Sequence, residues 1–163
     1  MSREWYPQAD ATFERVSRFT AYVAASNQDG WSASGWEVED IEHALPIVND
    51  VLISKCDDSN AQRAQLGAAA GAIQSVPSGS TLRIISNSQY LKDALTNLRD
   101  WKAAAWETAD GPRPNQEILE SLLVVLNQRD ITVEAVRLST AEDRKRANRL
   151  KLKVRAALRA RIK

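Results

Sequence analysis

The sequence predicts an α/β domain: a five-stranded mixed sheet flanked by helices, with a basic helix at the C-terminus. Three observations predict it. Stretches with β-branched and aromatic residues at strand spacing stand at 20–26, 32–40 and 45–55, joined by short connections that suit antiparallel neighbours. Two more strand-like stretches, 81–86 and 131–136, are set apart by helical segments, so they should run parallel to the first. The last segment, from about residue 141, repeats Leu150, Val154, Leu158 and Ile162 at every fourth position, the apolar stripe of a docked helix.

In chain order, "TAYVAAS" (20–26) opens the sheet, "NQDGW" turns, and "SASGWEVED" (32–40) returns. "LPIVNDVLISK" (45–55) is a third strand made irregular by Pro46 and Asn49–Asp50. Asp58, Ser59 and Asn60 are N-cap candidates for a helix over about 60–75. There Leu66, Ala69, Ala70 and Ile73 share a smooth face that lets it lie close to a sheet. "VPSGS" breaks that helix and "TLRIIS" (81–86) is the fourth strand. Helical stretches at about 88–97 and 99–106, a loop "TADGPRPN" and a helix at about 115–127 lead to the fifth strand, "ITVEAV" (131–136).

A chain of 163 residues, 44% apolar and 26% charged, fits one globular domain with a real core. Residues 1–19 form an N-terminal extension with Trp5, Tyr6, Phe13, Val16 and Phe19 as possible anchors, and 20–163 form the domain. The lone Cys56 fits a reducing compartment. No apolar run is long enough to span a membrane, and no secretion signal is expected from the opening residues. A cytoplasmic location is therefore expected.

The net charge of +1 conceals an asymmetry. Residues 144–163 hold ten Lys or Arg and no Asp or Glu, leaving 12 basic against 21 acidic residues before them. A basic end on an acidic body suits an electrostatic partner or a helix paired with its own domain.

The order three strands, helix, strand, helices, strand, helix is that of the ribonuclease H fold. "SNSQYLKDALTNLRDWKAAAWETADGPRPNQ" (86–116) resembles the type 1 ribonucleases H of bacteria, through Ser88-Gln89-Tyr90, Trp101-Lys102 and Trp106-Glu107-Thr108-Ala109-Asp110. The resemblance implies the ribonuclease H fold and, in its usual members, cleavage of the RNA strand of RNA–DNA hybrids by two divalent metals held on four carboxylates. At the aligned positions this chain has Ala24, Gln65, Asn87 and Asn148. Glu142 and Asp143 lie a turn or so before Asn148 as alternative alignments for the fourth. The family's mobile loop before the last helix is shortened to "RLSTAED", and His43, the only histidine, lies elsewhere.

An amide oxygen brings no net negative charge, and two divalent ions about 4 Å apart repel strongly. The expectation is thus a chain that is not an enzyme, a ribonuclease H homologue without catalytic residues, metal or cofactor. Near-isosteric Glu-to-Gln and Asp-to-Asn swaps also fit a deliberately inactivated variant, while the shortened loop favours natural loss. An active nuclease with a rearranged site is the least favoured reading.

What remains is binding. The resemblance implies hybrid contacts at Asn60, Gln62, Ser88 and Gln89, and the basic helix adds Arg144, Lys145, Arg149 and Lys153. Nucleic acid, an RNA–DNA hybrid or other duplex, is the expected partner. A protein-interaction scaffold is the runner-up. The stretch around Trp101 and Trp106 is electrically neutral, Arg99, Lys102 and Arg113 balancing Asp100, Glu107 and Asp110. Its tryptophans are expected to pack onto the domain.

Overall fold

A computed structural model describes residues 17–41, 46–55 and 61–162, the side chains of 46–48 and 55 excepted. The expected anchors Trp5, Tyr6, Phe13 and Val16, the N-cap candidates Asp58, Ser59 and Asn60, and His43 and Cys56 lie outside the described residues.

Strands β1 (Arg18–Gln28), β2 (Trp31–Asp40) and β3 (Pro46–Lys55) form an antiparallel meander. Asp29 and Gly30, with φ of 52° and 80°, make the two-residue turn from β1 to β2. Asp-Gly tolerates the left-handed backbone that matches the twist of a tight hairpin. Helix α1 (Ala61–Gln74) leads to β4 (Thr81–Ile85), then α2 (Gln89–Ala103), a small β5 (Glu107–Thr108)–β6 (Gly111–Pro112) ladder, α3 (Gln116–Arg129), β7 (Thr132–Val136) and α4 (Ala141–Ile162). The main sheet has the order β3-β2-β1-β4-β7, with β4 parallel to β1 and β7 parallel to β4. This is the mixed five-stranded sheet the sequence predicts.

Period-two alternation sorts β1 between two cores. Phe19, Ala21 and Val23 face α1, α2 and α3, whereas Tyr22 and Ala24 face α4 with its Leu150, Val154 and Leu158. The close approach of α1 rests on a missing side chain. A Cβ on Gly71 would stand 2.5 Å from the Trp36 ring. On the opposite face, a Cβ on Gly35 would stand 2.3 Å from Val154 Cγ2, so α4 also packs against bare backbone.

Two local expectations change. The two helical stretches at 88–97 and 99–106 are one helix, Gln89–Ala103. Nothing between them breaks a helix, and Leu98 is buried. The segment expected as a loop after it carries the short β5–β6 ladder. Ala105 and Trp106 then take positive φ, 55° and 60°, which turns Trp106 into the core at 4% exposure. Trp101 packs partly buried against the same core, with the Arg113 guanidinium 3.7 Å from its ring centroid. Both tryptophans thus pack on the domain as expected. Among the described residues, no helix is long and apolar enough to cross a membrane.

Candidate nucleic-acid cleft

The β1–β4 pairing ends at Tyr22 and Ile85, but β1 runs on to Gln28. Beyond the end of β4 the sheet therefore opens a crevice at the carboxyl ends of parallel strands, the usual ligand position in open α/β sheets. Its volume is about 450 Å³, and its walls come from β1, the start of α1, the β4–α2 connection and α4. Ala24, Gln65, Asn87 and Asn148 all line it. Four positions spread over 125 residues of sequence are thus brought to one cleft.

Each side chain is positioned by an identifiable local feature. Ala24 is on the α4-facing side of β1 and is 8% exposed. Gln65 sits in the second turn of α1, and its Oε1 is buried with no hydrogen-bond partner. Asn87 stands exposed between β4 and α2. The turn around it is fixed by Ser88, whose N–H donates to Ser86 Oγ at 3.0 Å and whose Oγ caps α2 by accepting from Leu91 N–H at 3.1 Å. Asn148 is exposed on α4.

Of the residues expected to contact nucleic acid, Gln62 and Ser88 line the cleft. Gln89 lies outside the lining, donating through Nε2 to Asp93 Oδ1 at 2.8 Å and accepting from Arg137 Nη1 at 3.4 Å. Arg144 and Lys145 are exposed on α4. Arg149 approaches Glu37 at 3.8 Å, and Lys153 donates to Asn49 Oδ1 at 3.0 Å. Asn60 lies outside the described residues. Lys151 was not singled out by sequence, yet it lines the cleft. The signal was available: it stands three residues after Asn148, on the same helical face.

Asp143, the alternative to Asn148, is committed elsewhere. Its Oδ1 accepts from Tyr22 Oη–H at 2.9 Å beneath α4, and it does not line the cleft. Burial acts to raise its pKa, but hydrogen bonds from Tyr22, Ser139 and Thr140 outweigh that and hold it below the usual carboxylate range. Burial, then the bond to Asp143, pushes the Tyr22 phenol up to about 12. Beside them Arg146 spans Glu39 at 2.7 Å and Glu37 at 3.2 Å and lies 4.5 Å over the Tyr22 ring. The hydrogen bond to Glu39 above all raises the arginine's pKa further.

The donor set does not fit a pair of divalent cations. Hard cations take charged carboxylate oxygens; here the described residues of the lining offer amide and hydroxyl oxygens beside one ammonium. Among the described residues, no group of three or more His, Cys, Asp or Glu could hold a metal.

Comparison with known proteins bears on what this cleft belongs to. The RNase H family model matches residues 18–149. Ribonuclease H of Methylorubrum extorquens is 34% identical over 90 residues, 54% of this chain and 40% of that protein. The chain thus matches less than half the length of this relative. Among solved structures, the N-terminal RNase H domain of a Mycobacterium tuberculosis protein superposes with a TM-score of 0.65 at 9% identity, covering 90% of this chain and 99% of that one. The foamy viral protease–reverse transcriptase, solved in complex with RNA/DNA hybrid, gives a TM-score of 0.64 at 17% identity over 85% of this chain and 19% of that one. These relatives correct one expectation. The sequence predicts a chain that is not an enzyme, but the curated proteins that match it carry an enzyme's name, Ribonuclease H. The four uncharged positions and the shortened loop before the last helix do not by themselves demonstrate lost catalysis. With the family model matching residues 18–149, most of this chain, and the fold shared, the chain belongs to the RNase H family.

Proposed function

We propose that the chain binds RNA–DNA hybrid, seating the nucleic-acid backbone in the cleft between β1, α1 and α4. The observation that carries this reading is the convergence of Ala24, Gln65, Asn87 and Asn148 with Lys151 on one open crevice. Amide side chains both donate to phosphate oxygens and accept from sugar hydroxyls. The buried, unpartnered Oε1 of Gln65 calls for a hydroxyl donor. A ribose 2′-hydroxyl, the group that separates RNA from DNA, is such a donor. Exposed Arg144 and Lys145 on α4 add sequence-independent attraction to phosphate. The foamy viral neighbour's complex with RNA/DNA hybrid supports the same choice of ligand. The relatives' name makes hydrolysis of the RNA strand the reaction to measure on a bound hybrid. In this chain, groups outside the aligned quartet would carry that reaction.

The test is a gel-shift series at low salt with hybrid, double-stranded RNA and double-stranded DNA of one sequence, the RNA strand labelled so that cleavage is read on the same samples. Hybrid should bind, with affinity falling steeply as salt rises. Charge reversal at Arg144 and Lys145 should weaken it. If none of the three duplexes shifts the protein, the binding reading is wrong and the protein-interaction scaffold takes its place.

A further inference from the structure

We infer that the cleft takes a phosphate group directly, with Lys151 as its counter-charge, so that hybrid binding requires no divalent cation. For its macromolecular ligand the inference rests on the hybrid-binding reading; the anion site does not depend on it.

The sign of the cleft carries the argument. Among the described residues that line it, Lys151 is the only ionisable one. Among these described lining residues a divalent cation would meet an ammonium and no carboxylate, whereas a phosphate would meet an ammonium and no repelling charge. Two helix N-termini reinforce that sign. Ala61 and Gln62 open α1 on the cleft wall, Ser88 caps α2 on the same wall, and neither helix carries an acidic residue in its first turn. The partial positive charge and free N–H groups at helix starts favour anions. Asn87 and Asn148 supply side-chain N–H donors to an oxyanion between them.

Other cations of α4 are engaged elsewhere. Arg146 is held by Glu37 and Glu39, Arg149 approaches Glu37, Lys153 bonds Asn49, and Arg161 lies 4.4 Å from the Trp31 ring centroid. Lys151 is exposed and forms no ion pair among the described residues.

Two measurements test this. Inorganic phosphate and, separately, millimolar Mg²⁺ are titrated into the full chain while the side-chain amides of Gln65, Asn87 and Asn148 are followed by ¹⁵N NMR. Phosphate should shift them and Mg²⁺ should not. Hybrid affinity is then measured by fluorescence anisotropy in EDTA and in Mg²⁺ at matched ionic strength, and should agree within about twofold. Lys151→Ala should weaken binding roughly fivefold to tenfold and lower the log–log salt slope by about one. Lys151→Arg should retain affinity, and Arg159→Ala, the same loss of charge farther along the helix, should change little. Binding that appears only with Mg²⁺, amide shifts with Mg²⁺ but not phosphate, or an unchanged Lys151→Ala would overturn the inference. Phosphate shifts without hybrid binding under any condition would overturn the hybrid reading and leave the anion site standing.

Discussion

Arg146 and Lys151 stand five residues apart on one helix and belong to one run of basic sequence, yet their surroundings differ in kind. The Arg146 side chain is 13% exposed and clamped between Glu37 and Glu39 of β2, with Tyr22 beneath it. Lys151 is exposed at the cleft, with no acidic neighbour among the described residues of the lining. The acidic body and basic helix seen in the sequence are therefore partly one structural device, since β2 supplies the carboxylates that neutralise the inner face of α4. Only the part of the run left unneutralised is available to an outside anion. A count of ten positive charges overstates what nucleic acid can meet.

The sharpest way to break this contrast is to remove the anchor. Arg146→Ala leaves Glu39, with its side chain 17% exposed, without its counter-ion, and Glu37, 14% exposed, with only the more distant Arg149 at 3.8 Å. It should destabilise the fold by about 3–5 kcal/mol in urea denaturation. Adding Glu37→Gln and Glu39→Gln should recover much of that loss, because the cost comes from stranded charge. If Arg146→Ala is neutral, the anchor is only a surface pair. Next in size is Gly35→Ala, whose Cβ would meet the stiff, buried Val154 at 2.3 Å. A cost of about 1–3 kcal/mol is expected, relieved by pairing it with Val154→Ala.

The Tyr22–Asp143 bond ties the start of α4 to β1 and gives the anchor its pH dependence. The Asp143 pKa is depressed in the folded state, so its stabilising contribution is present above the unfolded value, about 4, and disappears as pH falls through the lower folded one. The Tyr22 pKa is raised to about 12, so its contribution is present below about 10 and disappears as pH rises toward that value. Tyr22→Phe should cost about 1 kcal/mol at neutral pH, flatten both limbs of a stability–pH curve, and remove the late-titrating phenol from an absorbance titration. Limbs that stay unchanged would mean that other groups set them.

How much of this could be read from the sequence depended on whether a feature was local. Strand alternation, the Asp29–Gly30 turn and the Leu150–Val154–Leu158 stripe are short-range patterns, and all three appear as read. The convergence of the quartet came from resemblance, because no local rule links Ala24 to Asn148. The sequence predicts two helical stretches where the structure has the single helix Gln89–Ala103, although no residue within it breaks a helix. The division of the basic run was not legible at all. It depends on Glu37 and Glu39 lying under one face of α4, and so on how α4 docks across the sheet. Lys151 shares the cleft face with Asn148, but that matters only once Asn148 is known to line a cleft.

The smallest effect on stability is the one that separates the two regions most cleanly. Lys151 is exposed and makes no ion pair among the described residues. Replacing it with Ala should therefore change the unfolding free energy by less than about 0.5 kcal/mol, the usual range for surface positions. The same substitution removes the only ionisable residue among the described residues that line the cleft and should weaken hybrid binding. Arg146→Ala combined with Glu37→Gln and Glu39→Gln should show the opposite profile, with stability still reduced and affinity for hybrid in low salt close to the parent's. Denaturation and anisotropy on the same two proteins decide the matter. If both variants lose stability and affinity together, α4 acts as one electrostatic unit and the division between anchor and cleft is wrong.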